Sequence, residues 1–279
     1  MNFASLEPTL PRLQRSAVAL ALAAFGVGAS ALPVFTVDGD GSATAASGVR
    51  ADNILISDFA RVLINGTSFS EAGYLSVTDL QLGGVTVQNS GLGTAYNMYV
   101  EFTGSGTSSS GTADPNTVPT FGTFQNLTYS LYGYGGTVAT FGVGPGGATV
   151  NNVLVGPATG VVGEVLLATG SLIAGNVSTT PGFQPEGKFS PSASTLLSFT
   201  LTAAGQNYFT APSPFYNMAF AAFTNNPSQV TMFDGGFTIA QGGGSINFLT
   251  PIPEPETYAL MLAGLAAVGF VARRRRPQA

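Results

Sequence analysis

Residues 32–250 alternate repeatedly between apolar and polar side chains, and this pattern restricts the fold more than any other feature. The clearest runs are the segments 97–103, 125–132 and 198–202. Within the second run, Leu127, Tyr129 and Leu131 fall on one face, and polar residues occupy the other. A period of two with one apolar face is typical of a half-buried β-strand.

Turn signals separate these runs, and no long segment between residues 32 and 250 has helical periodicity. Further strands are predicted at Asn53–Phe59, Tyr74–Leu82, Val85–Gln88, Thr137–Val143, Val161–Gly170, Met218–Phe223, Val230–Ile239 and Ser245–Leu249. Turns are predicted at Asn65-Gly66, Gly83-Gly84, Gly135-Gly136, Pro145-Gly146-Gly147, Pro181-Gly182 and Asp234-Gly235-Gly236. Many short strands with turns between them predict an all-β body, a β-sandwich or a jelly-roll-like barrel. Residues 103–120 and 175–194 are predicted as loops, and 202–209 as a short helical turn.

The N-terminus has the layout of a secretory signal peptide. Arg12 and Arg15 precede an apolar run over residues 16–27. The small residues Ala29 and Ala31 of Ala29-Ser30-Ala31 then form an A-x-A cleavage site, after which the body begins. Charge, apolar run and small residues come in the order that export requires. We therefore expect residues 1–31 to be a signal peptide.

The C-terminus resembles a membrane-inserted tail. Residues 257–272 carry no charge, and as a helix they would extend about 24 Å, slightly less than a hydrocarbon core of about 30 Å. Arg273, Arg274, Arg275 and Arg276 follow as a basic stop that favours the cytoplasmic side. The sequence thus predicts a single transmembrane helix within residues 251–279, and an exported body over residues 32–250.

The proline-acid-proline element Pro253-Glu254-Pro255 stands immediately before this span. With Thr257, Leu260, Gly264-Leu265, Gly269 and the terminal arginines, the tail resembles the PEP-CTERM sorting signal of Gram-negative bacteria. The resemblance implies that exosortase, a membrane-embedded cysteine-dependent enzyme, cleaves near the motif. The membrane would then be a transient anchor, and the mature protein would reach the cell surface or the extracellular matrix. The prolines stiffen an extended segment that a protease-like groove can grip.

Charge and composition exclude several functions. The predicted body contains eleven acidic and three basic residues, a net charge of −8, compared with −5 for the whole chain. So few cations disfavour nucleic acid as a partner. The chain has no Cys and no His, so it has no thiol nucleophile and no Ser-His-Asp arrangement. We predict no catalytic residue, no metal ligand and no cofactor.

Three residue sets remain as weaker candidates. Asp38-Gly-Asp40-Gly has calcium-ligand spacing, but Ala43 and Val49 occupy the positions where an EF-hand needs Gly and Glu. The acidic residues Glu71, Glu101, Glu164 and Glu186 show no pairing in sequence that would predict glycoside hydrolysis. Tyr129, Tyr132 and Tyr134 lie near one strand end and form either a sugar-binding platform or core packing.

Several blocks of the body resemble flocculation-associated PEP-CTERM proteins. They are Leu131-Tyr-Gly-Tyr-Gly-Gly, Leu167-Ala-Thr-Gly-Ser-Leu-Ile-Ala-Gly and Pro214-Phe-Tyr-Asn-Met-Ala-Phe-Ala-Ala-Phe-Thr-Asn-Asn. This resemblance implies a non-enzymatic protein, linked to extracellular polysaccharide, that contributes to flocculation or biofilm cohesion. The alternatives are a secreted polysaccharide-active enzyme and a calcium-dependent lectin-like module on a jelly-roll scaffold.

Overall fold

The computed structural model describes residues 32–39, 48–109, 118–143, 154–158, 161–182 and 189–249, together with residue 265. The described strands before residue 144 are β1 (Phe35–Val37), β2 (Val49–Ala51), β3 (Asn53–Asn65), β4 (Ser68–Leu82), β5 (Val85–Thr86), β6 (Asn97–Ser108), β7 (Thr120–Gly136) and β8 (Thr140–Val143). Those after it are β9 (Leu154–Ala158), β10 (Val161–Pro181), β11 (Phe189–Ser198), β12 (Thr200–Leu201), β13 (Phe209–Ala211), β14 (Met218–Thr224), β15 (Val230–Phe233) and β16 (Gly236–Leu249). The helix α1 (Ala203–Tyr208) and a 3-10 turn at Pro227–Gln229 complete the elements.

Eight antiparallel strands close into one barrel-like sheet. Each of β3, β4, β6, β7, β10, β11, β14 and β16 pairs with the next one in this order, and β16 pairs with β3. The all-β prediction is confirmed, but the predicted sandwich or jelly roll is wrong. The alternation of apolar and polar residues predicts which face of the sheet a side chain occupies, but it does not predict which strands pair with each other. Here each barrel strand pairs with the barrel strands before and after it along the chain, and the pairing of β16 with β3 closes the ring, so the chain does not cross between two sheets.

Glycine turns form two of the hairpins, one within the barrel and one at its edge. Gly66 joins β3 to β4 and has a φ of 60°, so the predicted turn at Asn65-Gly66 is confirmed. Gly83 and Gly84 join β4 to β5 with φ values of 61° and 78°. Two consecutive positive φ values suit a tight hairpin, because this turn twists in the same sense as the strands it joins.

Buried apolar and aromatic side chains form two clusters, one inside the barrel and one on its outer face. Inward-facing side chains form the main core, which continues into an aromatic cluster where β11 ends and β14 begins. The members of this aromatic cluster are Phe35, Phe199, Phe209, Phe215, Tyr216 and Phe248. The small sheet β13-β1-β2 contributes Phe35 and Phe209 to it. A second, smaller group on the outer face of the sheet includes Phe59, Tyr134 and Phe141.

One predicted loop is largely strand. β10 extends to Pro181 and β11 starts at Phe189, so the loop predicted over residues 175–194 is wrong at residues 175–181 and 189–194. Residues 183–188 lie outside the described residues. Ser178 and Ser192 hydrogen-bond across these strands at 2.7 Å. Hydroxyl pairs of this kind stabilise neighbouring strands, so a segment rich in Ser and Thr is compatible with a sheet.

The other predicted loop and the helical turn fit better. β6 ends at Ser108 and β7 begins at Thr120, so the connection is shorter than the predicted 103–120, and residues 110–117 lie outside the described part. The helical turn at 202–209 is confirmed as α1. The Thr202 hydroxyl accepts a hydrogen bond from the Gly205 amide and so caps this helix.

Both chain ends lie outside the described residues apart from residue 265. They carry the predicted signal cleavage site at Ala29 and Ala31, the Pro253-Glu254-Pro255 motif and the four arginines. Within the described part of the chain, no helix combines the length and apolar character needed to cross a membrane.

Candidate functional sites

The interior of the barrel contains a cavity of about 390 Å³ that is partly open to solvent. Most of its lining is apolar, including Leu75, Val100, Phe102, Leu127, Phe199 and Phe248. Asp58, Glu71, Asn225 and Tyr129 are polar exceptions, and hydroxyl side chains of Ser and Thr are the others: Ser108, Thr120, Ser178, Thr179, Ser192 and Thr195. Among the described residues, no Lys or Arg lines the cavity. Two acidic side chains therefore face a mainly apolar space without a neighbouring cation in its wall.

Asp58 points into the barrel because it occupies an inward position of β3. The inward series of this strand also contains Ile54, Ile56, Ala60 and Val62, which are buried in the core. Asp58 itself is only 3% exposed. An acid thus stands where the alternation calls for an apolar residue.

A glycine in the neighbouring strand makes room for the partner of Asp58. Gly242 of β16 is paired with Asp58, immediately after a register shift at Gln241, whose φ is 58°. A Cβ atom on Gly242 would overlap Asn225 Oδ1. The Asn225 side chain therefore reaches Asp58 through space that only a glycine at position 242 leaves open. We call Asp58 and Asn225 the Asp58 layer.

The hydrogen bonding in this layer is incomplete. Burial raises the pKa of Asp58 from 3.8 to about 7. Asn225 donates a hydrogen bond to the Asp58 carboxyl group, and this smaller effect lowers the same pKa. Asp58 Oδ1 and Asn225 Oδ1 are both buried without a hydrogen-bond partner. When Asp58 is ionised, both orphaned oxygens are acceptors without a donor, whereas the protonated carboxyl group can itself donate one hydrogen bond.

Glu71 is the second acid of the cavity. It lies on β4 opposite Val62 of β3. Burial, and secondly the charge of Asp58, raise the pKa of Glu71 from 4.5 to about 8. The side chain is half-buried and borders the cavity.

The outer wall of the barrel carries a different arrangement, which we call the tyrosine patch: Tyr74, Tyr99, Tyr132, Glu101 and Glu164. The Tyr99 and Tyr132 rings stack with centroids 5.0 Å apart, and Tyr74 meets Tyr99 edge-on at 6.2 Å. The Tyr99 hydroxyl donates a 2.8 Å hydrogen bond to Glu164 Oε2. Burial, followed by this bond, raises the pKa of Tyr99. Tyr74 is in turn hydrogen-bonded to Glu101.

The three tyrosines that the sequence placed at one strand end lie in different surroundings in the structure. Tyr129 lies inside the barrel and donates a hydrogen bond to the Ser198 carbonyl at 2.7 Å. Tyr134 is buried on the outer side, where its hydroxyl accepts a hydrogen bond from the Ala139 amide. Of the predicted platform, only Tyr132 belongs to the tyrosine patch, because residues 129 and 132 face opposite sides of β7.

The acidic turn near the predicted mature N-terminus differs from its sequence expectation. Asp38 is 1% exposed, and Asp40 lies outside the described residues. The described residues contain no group of three or more potential metal ligands from Asp, Glu, His or Cys. Glu186 also lies outside the described part of the chain.

Residues 251–276 match the family model of the PEP-CTERM protein-sorting motif. This chain therefore carries a PEP-CTERM sorting signal, and the prediction from its C-terminal sequence is confirmed. The signal implies exosortase processing, export, and a cell-surface or extracellular location. Neither a curated protein nor a solved structure matches the chain.

The sorting signal leads to a first prediction. Replacing Pro253 and Glu254 with Ala should leave an uncleaved, membrane-bound precursor, because the proline-acid-proline element expected to be recognised by exosortase would be lost. The measurement is fractionation of the native host followed by mass determination of the protein. A conservative control is Gln278→Ala, which lies beyond the motif. Normal release of the Pro253→Ala/Glu254→Ala protein would contradict the prediction.

Proposed function

We propose that this exported protein acts at the cell surface or in the extracellular matrix and contributes to flocculation or biofilm cohesion through contact with exopolysaccharide. The tyrosine patch is the observation that carries this proposal. It combines the half-buried rings of Tyr74 and Tyr132 with the exposed carboxylates of Glu101 and Glu164. Aromatic faces pack against the apolar faces of sugars, and carboxylates accept hydrogen bonds from sugar hydroxyls.

The rigidity of the patch supports a binding role. Tyr99 is the buried member of the patch, 3% exposed, with its ring centre 5.9 Å from that of Tyr134 and 5.5 Å from that of Phe141. Tyr132 is therefore held by a stacked neighbour that is itself packed on both sides. A ring that is already ordered loses little conformational entropy when a ligand binds.

We propose further that the protein is not an enzyme. Hydrolysis of a polysaccharide needs two carboxyl groups on either side of an accessible sugar linkage. Asp58 and Glu71 instead face an interior cavity with largely apolar walls, which does not suit a hydrophilic polymer chain. On the outer wall, Glu101 and Glu164 accept hydrogen bonds from tyrosines, which is suited to binding.

The test is binding of the purified exported protein to exopolysaccharide from its native host. Tyr132→Ala should weaken binding about fivefold, since one aromatic contact contributes about 1 kcal/mol. The matched control is Phe121→Ala on the same strand, where the ring is 65% exposed and lies outside the patch. Circular dichroism should show that both variants keep the fold.

The cellular arm uses a deletion strain complemented with each form. Cells with the wild-type protein or Phe121→Ala should flocculate, and cells with Tyr132→Ala should remain more dispersed while still making polysaccharide. Equal flocculation by the deletion strain and the wild type would show that the protein has no such role. Unchanged binding by Tyr132→Ala would remove the patch from the mechanism. Release of reducing sugars by the wild-type protein would favour the enzyme alternative.

A further inference from the structure

When Asp58 is ionised, the side chains around it include two buried acceptors without donors, which a ligand could satisfy. Asp58 and Asn225 are 3% and 2% exposed, and each has a buried Oδ1 atom without a hydrogen-bond partner. A buried acceptor without a donor destabilises the folded protein, so native structures rarely leave one unsatisfied. Two such acceptors occur in one layer, and both residues border the same cavity.

The charges of the wall restrict what could supply the missing donors. Asp58 and Glu71 are acids, and the described lining contains no Lys or Arg. Arg61 is not part of the described lining, and its guanidinium lies 4.9 Å from the centre of the Phe233 ring, which does line the cavity. A ligand with a carboxylate or phosphate would add negative charge beside the acids. A protonated amine donates up to three hydrogen bonds and neutralises the carboxylate that it meets.

The remainder of the cavity indicates the rest of the ligand. A volume of about 390 Å³ falls within the range of about 300–1,000 Å³ that is usual for small-molecule sites. The walls beyond the acids consist largely of Leu, Val, Ile and Phe side chains, which favour an apolar body. The lining also reaches Gly66 and Gly235, in the turns at the end of the barrel opposite the aromatic cluster.

We propose that the barrel interior is a binding site for a small organic amine whose ammonium group binds Asp58 and Asn225 and whose apolar body fills the cavity. This site is separate from the tyrosine patch, since it faces the interior of the sheet. It extends the proposed function, because a matrix protein with such a site would also carry a small-molecule cargo or respond to one. The inference does not depend on contact with polysaccharide.

Proton linkage distinguishes an amine from a neutral ligand. The titratable groups that face Asp58 across the cavity are Glu71 of β4 and Tyr129 of β7. The described parts of β6, β10, β11, β14, β15 and β16 contribute no ionisable side chain to the lining. An ammonium ion binds the ionised form of Asp58, so binding near neutral pH should release a proton. The affinity should therefore rise as pH increases through about 7, where Asp58 ionises in the empty protein.

The experiment is isothermal titration calorimetry on the exported protein purified from its host. The probes are hexylamine, hexanol and hexanoate, which share one chain and differ in the head group. Hexylamine should bind with a stoichiometry of one, about tenfold more tightly at about pH 8 than at about pH 6. Hexanol should bind more weakly and without this pH dependence, and hexanoate should not bind. In buffers of different ionisation enthalpy, hexylamine should release a proton at about pH 7.

Two variants locate the site. Asp58→Asn keeps the side-chain shape and should weaken hexylamine binding about tenfold, the scale of a charged hydrogen bond. Glu101→Gln removes a carboxylate from the outer wall and should leave binding unchanged. Melting curves should show that both variants are folded, and the proton-release measurement on the wild type does not depend on any variant.

Three results would overturn the proposal. Equal affinity for hexylamine and hexanol, with no proton release, would mean that the acids do not recognise the ligand. Undiminished hexylamine binding by Asp58→Asn would place the ammonium group elsewhere. The absence of saturable hexylamine binding would mean that the interior is not an amine site.

Discussion

The exported protein should lose folding stability as the pH rises from about 4 to about 8 in the absence of ligand. Burial raises the pKa of Asp58 from 3.8 to about 7 and that of Glu71 from 4.5 to about 8. For each acid, at a pH between its unfolded and its folded pKa, the folded state holds a proton that the unfolded state has released. Stability is therefore complete below the unfolded pKa values and falls as the pH rises through the folded ones. Asp58 alone should account for a loss of about 4 kcal/mol.

Urea denaturation over this pH range measures the effect, and the variant Asp58→Asn/Glu71→Gln isolates it. This variant has no acid in the described cavity wall, so its unfolding free energy should depend less on pH. Above about pH 7 it should be more stable than the wild type, because a buried unpaired charge has been removed. The control Glu101→Gln, at an exposed position, should follow the wild-type profile. Parallel profiles for the wild type and the double variant would show that the two acids are not buried as described.

The sequence predicted the faces of the strands well. Leu127, Tyr129 and Leu131 were expected on one face, and all three line the cavity. The same alternation placed Met98, Val100 and Phe102 together, and they too face the interior. Each of these predictions depends on the geometry of a single strand, in which successive side chains point to opposite sides. No knowledge of the neighbouring strand was needed.

The closed barrel and its acidic layer could not be predicted in this way. Asp58 interrupts the inward series that runs from Ile54 to Val62, and this interruption was the available sequence signal for a polar group inside. Nothing in the local pattern indicates that Asn225 reaches the same layer. That contact depends on the pairing of β16 with β3 and on the space beside Gly242, which only the assembled sheet specifies. Long-range pairing therefore produced the site, while local periodicity predicted its walls.

Phe248→Ala should be the most damaging single substitution in the aromatic cluster. Phe248 is completely buried, and its ring centre lies 5.0 Å from that of Phe35, 4.8 Å from Phe199 and 4.9 Å from Phe215. Truncation removes these edge-to-face contacts and leaves a void that the paired backbone cannot readily fill. The unfolding free energy should fall by about 3–5 kcal/mol, as measured by urea denaturation at about pH 5, where the buried acids hold their protons.

The matched control is Phe121→Ala, whose ring is 65% exposed on β7 and should cost about 0.5 kcal/mol or less. Phe248 also borders the cavity, so its removal should enlarge the interior next to the small sheet β13-β1-β2. A loss no larger than that of Phe121→Ala would mean that the cluster does not close this end of the barrel. A large loss confined to Phe248→Ala would instead identify aromatic packing as the substitute for the disulfides that this cysteine-free exported chain lacks.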